Sequence, residues 1–191
     1  MKKKIAVYCS SSSEIPEDIK ETAYKLGRLI GEMDCILVYG GVNAGLMHEV
    51  AKGAYESNAP VIGVVPEFFL HRADGLCTEI ISVSDLNTRK ARMISEADLF
   101  IVLPGGLGTI DEWISTSSQI MASNVVDENF RRPIVVYNRD GMFDYMIAQF
   151  KATNESGFAR GRFADPGIVV GTSLQLFETV KKIIAEQEKR T

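Results

Sequence analysis

The sequence predicts an α/β protein of Rossmann type: one open, mainly parallel sheet with helices on both faces. Three observations carry this. Strand-like and helix-like segments alternate along the whole chain. The strand-like segments, such as Ile36 to Tyr39 and Leu99 to Leu103, are continuous apolar runs rather than alternating ones, as expected of strands covered on both faces. Two of them open directly into glycine-rich turns followed by helical patterns, at Gly40 to Gly45 and Gly105 to Thr109. With 191 residues the chain is read as one nucleotide-binding domain, 1–191, since nothing repeats and no linker divides it.

In order, Lys4 to Cys9 reads as a strand and Ser10 to Ser13 as a polar turn. Pro16 suits the first turn of a helix whose buried stripe is Ile15, Ile19, Ala23, Leu26, Ile30 and Met33. Cys35 to Tyr39 is a strand, Leu46 to Ser57 a helix, Pro60 to Val65 a strand and Glu67 to Thr78 a loop. Ile80 to Val83 is a short strand and Leu86 to Glu96 a charged helix. After the Leu99 to Leu103 strand, a helix extends to about Met121, and Ser123 to Arg132 is a polar connection. Pro133 to Tyr137 is a strand, Met142 to Lys151 a helix, Ser156 to Pro166 a loop and Ile168 to Val170 a last strand. Leu174, Phe177, Val180, Ile183 and Ile184 mark the core face of a closing helix.

Composition narrows the function classes. A net charge of −4 gives no global attraction to nucleic acid or to an anionic membrane surface. No apolar run approaches the ~20 residues that a membrane span needs. Three cysteines, Cys9, Cys35 and Cys77, lack CxxC or Cys/His spacing, which argues against a zinc site and for free thiols in a reducing cytoplasm.

A strand that opens through glycines into a helix leaves backbone N–H groups free at the positive end of the helix dipole. That is an anion site, most often for phosphate. Neither glycine turn is a Walker A loop and neither completes G-x-G-x-x-G, because Asp111 stands three residues after Gly108. Two turns around one phosphate fit a mononucleotide better than a dinucleotide. Thr109 and Glu112 match the S/T-x-x-E capping box, which makes Glu112 a helix cap on that signal alone and Asp111 a surface acid beside it. Arg89, Lys90 and Arg92 lie in the helix before the glycine strand, and an arginine fork suits phosphate or carboxylate. His48 and His71 read as packing or surface residues before they read as catalysts, and Cys9 has no basic partner in sequence.

The segment Pro104-Gly105-Gly106-Leu107-Gly108-Thr109-Ile110-Asp111-Glu112 resembles the PGGxGTxxE motif of the Lonely-guy family, cytokinin riboside 5′-monophosphate phosphoribohydrolases once labelled lysine decarboxylases. Arg89-Lys90 with Met93 is similar to that family's upstream Arg-Lys signature. Val38-Tyr39-Gly40-Gly41 with Gly45-Leu46-Met47 resembles its first glycine loop, Cys9 to Ser12 its first strand end, and Glu155 to Phe158 a segment near its C-terminus.

The resemblance implies a Rossmann-like homodimer that cleaves the N-glycosidic bond of a purine nucleoside 5′-monophosphate, without metal or organic cofactor. It assigns catalysis to Arg89 and Glu112. Substrate contact falls to Lys90, Gly105, Gly106, Leu107, Gly108, Thr109 and Asp111, with Gly40, Gly41, Gly45 and Ser118 beside them. The chain departs from the family pattern at Val42, at His48, near Ala73-Asp74 and at Ser118-Gln119, where the base would be recognised. The preferred base, adenine or an N6-substituted adenine, is therefore open. A non-catalytic nucleotide sensor or carrier would use the same loops. Pyridoxal-dependent lysine decarboxylation has no Schiff-base lysine with a pyridinium partner to point to.

Overall fold

A computed structural model describes residues 1–127, 132–159 and 165–189. The elements in order are β1 (Lys4–Tyr8), α1 (Glu17–Glu32), β2 (Ile36–Tyr39), α2 (Gly45–Glu56), β3 (Val61–Pro66), β4 (Glu79–Val83), α3 (Leu86–Glu96), β5 (Leu99–Val102), α4 (Leu107–Val126), β6 (Ile134–Tyr137), α5 (Asp144–Glu155), β7 (Ile168–Val170) and α6 (Ser173–Glu188). The seven strands form one sheet in the order β4-β3-β2-β1-β5-β6-β7, every pair parallel.

The apolar runs of the five inner strands are buried on both faces, as read, whereas those of the edge strands β4 and β7 are largely exposed. Ile5, Val7, Leu37, Tyr39, Leu99 and Ile101 face a core closed by α1, α2 and α6. Ala6, Tyr8, Val38, Phe100 and Val102 face the other, with Met93 and Ile94 of α3, Trp113 of α4, and Phe143. β1 is central, and chain order runs outward from it in both directions. The connection β4-α3-β5 crosses from the sheet edge back to the middle. Strand order therefore reverses between β1 and β5, and the crevice beyond their carboxyl ends is where such sheets bind ligands.

Several boundaries differ from the sequence reading. Glu67–Arg72, read as loop, is a 3-10 helix directly after Pro66; six residues are too few to display a helical stripe. α4 extends to Val126, beyond Met121 and into the stretch read as a connection. α5 begins at Asp144 because Asn138 Oδ1 accepts the Phe143 N–H at 2.7 Å, and Gly141 turns the chain at φ +73° just before it. The connection read over 123–132 and the loop read over 156–166 lie partly outside the described residues.

Candidate active site

The glycine turn after β5 is built differently from the capping box that its sequence suggests. Gly106 is the N-cap of α4, with no side-chain cap, and the helix starts at Leu107. Thr109 is thus the third helical residue and Glu112 the sixth, one turn too deep to reach back to a cap. The capping-box reading fails for this reason, and Asp111 and Glu112 sit in the second turn rather than the first. Thr109 is buried, and its Oγ1 occupies the space beside Gly105 that a β-carbon there would need. The first intrahelical bond runs from the Ile110 N–H to the Gly106 carbonyl at 3.1 Å. The N–H groups of Leu107, Gly108 and Thr109 therefore have no partner within the helix. Around Gly106 and Gly108 there is open space: apart from chain neighbours and the helix's own backbone, no atom of the described residues lies within 4 Å of where a β-carbon would stand.

Glu112 projects from α4 into a buried setting, 5 % exposed. Two contacts fix the helix around it. Tyr8 Oη and Thr116 Oγ1 share a buried hydrogen bond of 2.8 Å, one turn along the same face. Trp113, fully buried, donates its indole N–H to the Pro166 carbonyl at 3.0 Å and packs edge-on against Phe143. Sequence reasoning missed these two anchors, although the four-residue spacing of Glu112 and Thr116 was a usable signal.

Arg89 reaches the same place from α3. Asp85 caps that helix, its Oδ1 accepting the Asn87 and Thr88 N–H groups at 2.8 and 2.9 Å. Those hydrogen bonds hold the Asp85 carboxyl below the usual carboxylate range. The cap sets the phase that puts Arg89 on the face of buried Met93, four residues on. Arg89 Nη2 lies 3.0 Å from Glu112 Oε1. The approach is close enough for an ion pair but is out of line for a hydrogen bond. Arg89 Nε and Nη2 and Glu112 Oε1 are all buried without a hydrogen-bond partner among the described residues. Buried polar groups are normally hydrogen-bonded, so these atoms have capacity to bond a ligand in the site. Burial raises the Glu112 carboxyl to about 7; the Arg89 guanidinium and Lys90 oppose that rise and Asp111 adds to it.

Lys90 Nζ takes both carboxylate oxygens of Asp111, at 2.8 and 2.7 Å, so the two residues hold each other at the rim. The glycines of the turn after β2 all have protein neighbours. Gly40 makes room for the Arg89 guanidinium and for Met47. Gly41, at φ +70°, abuts Gly63 and Val65, and Gly45, at φ +52°, abuts the backbone of 10–12. Ser10 links the two turns: its N–H donates to the Pro104 carbonyl at 3.2 Å and its carbonyl accepts the Leu46 N–H at 3.0 Å. Cys9 is buried beside the site; its thiol is pushed up first by burial and then by Glu112, which argues against a nucleophilic thiolate.

The predicted site residues thus fall into groups. Arg89, Glu112 and Gly40 meet directly, Lys90 pairs with Asp111, and Gly105 to Thr109 form the adjoining turn. Gly41 and Gly45 brace the other turn. Ser118 is exposed on α4, six residues past Glu112 and on a different helical face. Its neighbour Gln119 lines a separate cavity of about 380 Å³ between α3 and α4, with Ile94, Ile120 and Arg132. Among the described residues, no group of three or more His, Cys, Asp or Glu side chains is placed to hold a metal ion. No helix among them is long and apolar enough to cross a membrane.

A family model described as "Possible lysine decarboxylase" matches residues 47–180, which include Arg89, Lys90 and the whole 104–112 motif. The chain belongs to the Lonely-guy family. It is 32 % identical over 158 residues to a cytokinin riboside 5′-monophosphate phosphoribohydrolase of Arabidopsis thaliana, covering 82 % of this chain and 70 % of that protein. It is 29 % identical over 189 residues to a probable enzyme of the same name from Oryza sativa subsp. japonica, covering 98 % of this chain and 75 % of that one. Among solved structures, a molybdenum cofactor binding protein from Rippkaea orientalis superposes with a TM-score of 0.72 at 24 % identity, covering 96 % of this chain and 98 % of that one. At that identity the likeness speaks for the Rossmann-like fold alone.

Proposed function

We propose that this member of the Lonely-guy family hydrolyses the N-glycosidic bond of a purine nucleoside 5′-monophosphate, AMP or an N6-modified adenine nucleotide, to free base and ribose 5-phosphate. The observation that carries the reading is the buried, unaligned Arg89–Glu112 pair beside a helix N-terminus whose glycines face open space. The names of the relatives favour the same reaction class.

In this reading the N–H groups of Leu107, Gly108 and Thr109 hold the 5′-phosphate at the positive end of α4. The fixed phosphate presents C1′ to Glu112. As the C1′–N bond breaks, its electron pair leaves with the base and the ribose becomes oxocarbenium-like. The Glu112 carboxylate stabilises that charge and takes a proton from the water that attacks C1′, while the departing base takes up a proton from solvent and Glu112 returns its own to solvent. Arg89 turns its unpartnered N–H groups to the ribose hydroxyls and keeps Glu112 ionised when substrate excludes water. Lys90 and Asp111 fix the rim. A homodimer is part of the proposal, and sedimentation of the purified protein tests it.

Incubation with AMP and with isopentenyl-AMP, followed by chromatography of the free base, tests the reaction. Base release by the wild type that is abolished in Glu112→Gln and in Arg89→Ala is the expected result. Tight binding of either nucleotide without base release would overturn it in favour of a carrier.

A further inference from the structure

Beside the first glycine turn stands a second pair of titratable side chains, which the proposed reaction does not use. His48 Nδ1 lies 2.9 Å from Asp74 Oδ2. Asp74 is 2 % exposed, an expensive place for a carboxylate. Its Oδ1 accepts the Leu76 N–H at 3.1 Å, and its own N–H donates to the Gly41 carbonyl at 2.8 Å. The backbone around it is stitched to the turn a second time, through the Asn43 N–H and the Arg72 carbonyl at 3.0 Å. The carboxylate is thus anchored to the glycine turn and aimed at one imidazole.

A carboxylate only accepts, so Nδ1 of His48 carries the hydrogen. That fixes the tautomer, and Nε2 of the neutral ring becomes a bare acceptor on the edge turned away from Asp74. The His48 side chain is 34 % exposed, unlike the carboxylate that orients it. Its neighbour in the chain adjoins the reaction site. Met47, one residue earlier, borders Gly40 together with the Arg89 guanidinium, and Arg89 faces Glu112. The helix N-terminus after Gly106 takes the phosphate end of a nucleotide, and the ribose lies at Glu112. The base is the part of the nucleotide left for the β2 side of the crevice.

We propose that the His48–Asp74 pair reads the base of the bound nucleotide, with His48 Nε2 accepting a hydrogen bond from an exocyclic amine. The inference rests on the nucleotide reading above and assigns the preference for a 6-aminopurine, already part of that reading, to one residue pair. A 6-oxopurine presents an acceptor at the same position, and two acceptors repel. Asp74 is a positioning residue, because it acts through the imidazole.

Calorimetric binding to the Glu112→Gln variant, in which turnover does not deplete the ligand, tests this with AMP, IMP and ribose 5-phosphate. The buffer is mildly alkaline, which favours the neutral ring that the inference requires. AMP is expected to bind roughly tenfold tighter than IMP, the worth of one well-made hydrogen bond against an unpaired one. Adding His48→Ala is expected to erase that ratio while ribose 5-phosphate binds as before. An equal loss for all three ligands would make His48 merely structural and overturn the inference, as would an AMP-to-IMP ratio that survives His48→Ala. Failure of the Glu112→Gln protein to bind any of the three would instead overturn the nucleotide reading itself.

Discussion

The two glycine turns look alike in sequence, yet their glycines exist for opposite reasons. In the turn after β2, each glycine yields space to the protein's own atoms: Gly40 to Arg89, Gly41 to Gly63 and Val65, Gly45 to the backbone of 10–12. Two of the three also hold positive φ, where a side chain is strained. In the turn after β5, Gly105 yields to Thr109, but Gly106 and Gly108 yield to nothing among the described residues. Gly106 has φ −90°, which any residue can adopt, and Gly108 lies inside a helix, where glycine is a poor choice. One turn is shaped by folding and the other by what it must leave uncovered.

The largest effect should come from the acid behind the second turn. Glu112→Gln is expected to lower kcat by about 10²–10⁴ in a base-release assay while the protein stays folded. A smaller loss would leave the open turn without chemistry to serve. Next, Gly41→Ala should destabilise the protein by about 1–3 kcal/mol, because it combines positive φ with contact against Val65 and Gly63. For a chain of this size that is a fall of several degrees in Tm by calorimetry. Gly108→Ala should do the reverse: Tm rises slightly, by up to about 1 kcal/mol of helix propensity, while KM for AMP rises roughly tenfold. If Gly108→Ala lowered Tm as Gly41→Ala does, the distinction between the turns would collapse.

A separate handle on Glu112 is pH. The Glu112 carboxyl titrates near 7 in the folded chain against an ordinary 4.5. A raised carboxyl pKa contributes stability below the unfolded value and loses it as pH rises through the folded one. Wild type should therefore lose ground to Glu112→Gln between pH about 4.5 and about 7, read as a widening Tm difference, whatever the constant offset from leaving Arg89 unpaired. In the proposed reaction the ionised carboxylate is the working form, so kcat should climb over the upper part of that range.

Much of the fold was legible because a doubly covered parallel sheet writes itself as apolar runs, and every strand read from the sequence is present. The junction of Arg89 with Glu112 was legible only through the family motifs, since the 22 residues between them do not say that α3 crosses the sheet. Local pattern misled at Thr109 and Glu112: the capping-box spacing was real, but Gly106 starts the helix earlier. The reason for Gly40 was illegible, because it lies in the Arg89 side chain 49 residues away. The His48–Asp74 contact was invisible for the same reason, as the two residues stand 26 apart on different sides of β3.

The long crossover from β4 to β5 has a further consequence. If β5 paired at the edge beside β4, its neighbour in sequence, Arg89 would never come to lie over Gly40 and the Glu112 pocket would stay open. The ligand site exists only in the native strand order, so a nucleotide would bind the correct topology and none of its rivals. By mass action, ligand present during refolding should raise the yield of correctly wound chains. It would thereby act as a template for a sheet whose central β1–β5 pairing joins the strands farthest apart in sequence and is the last to be rewarded.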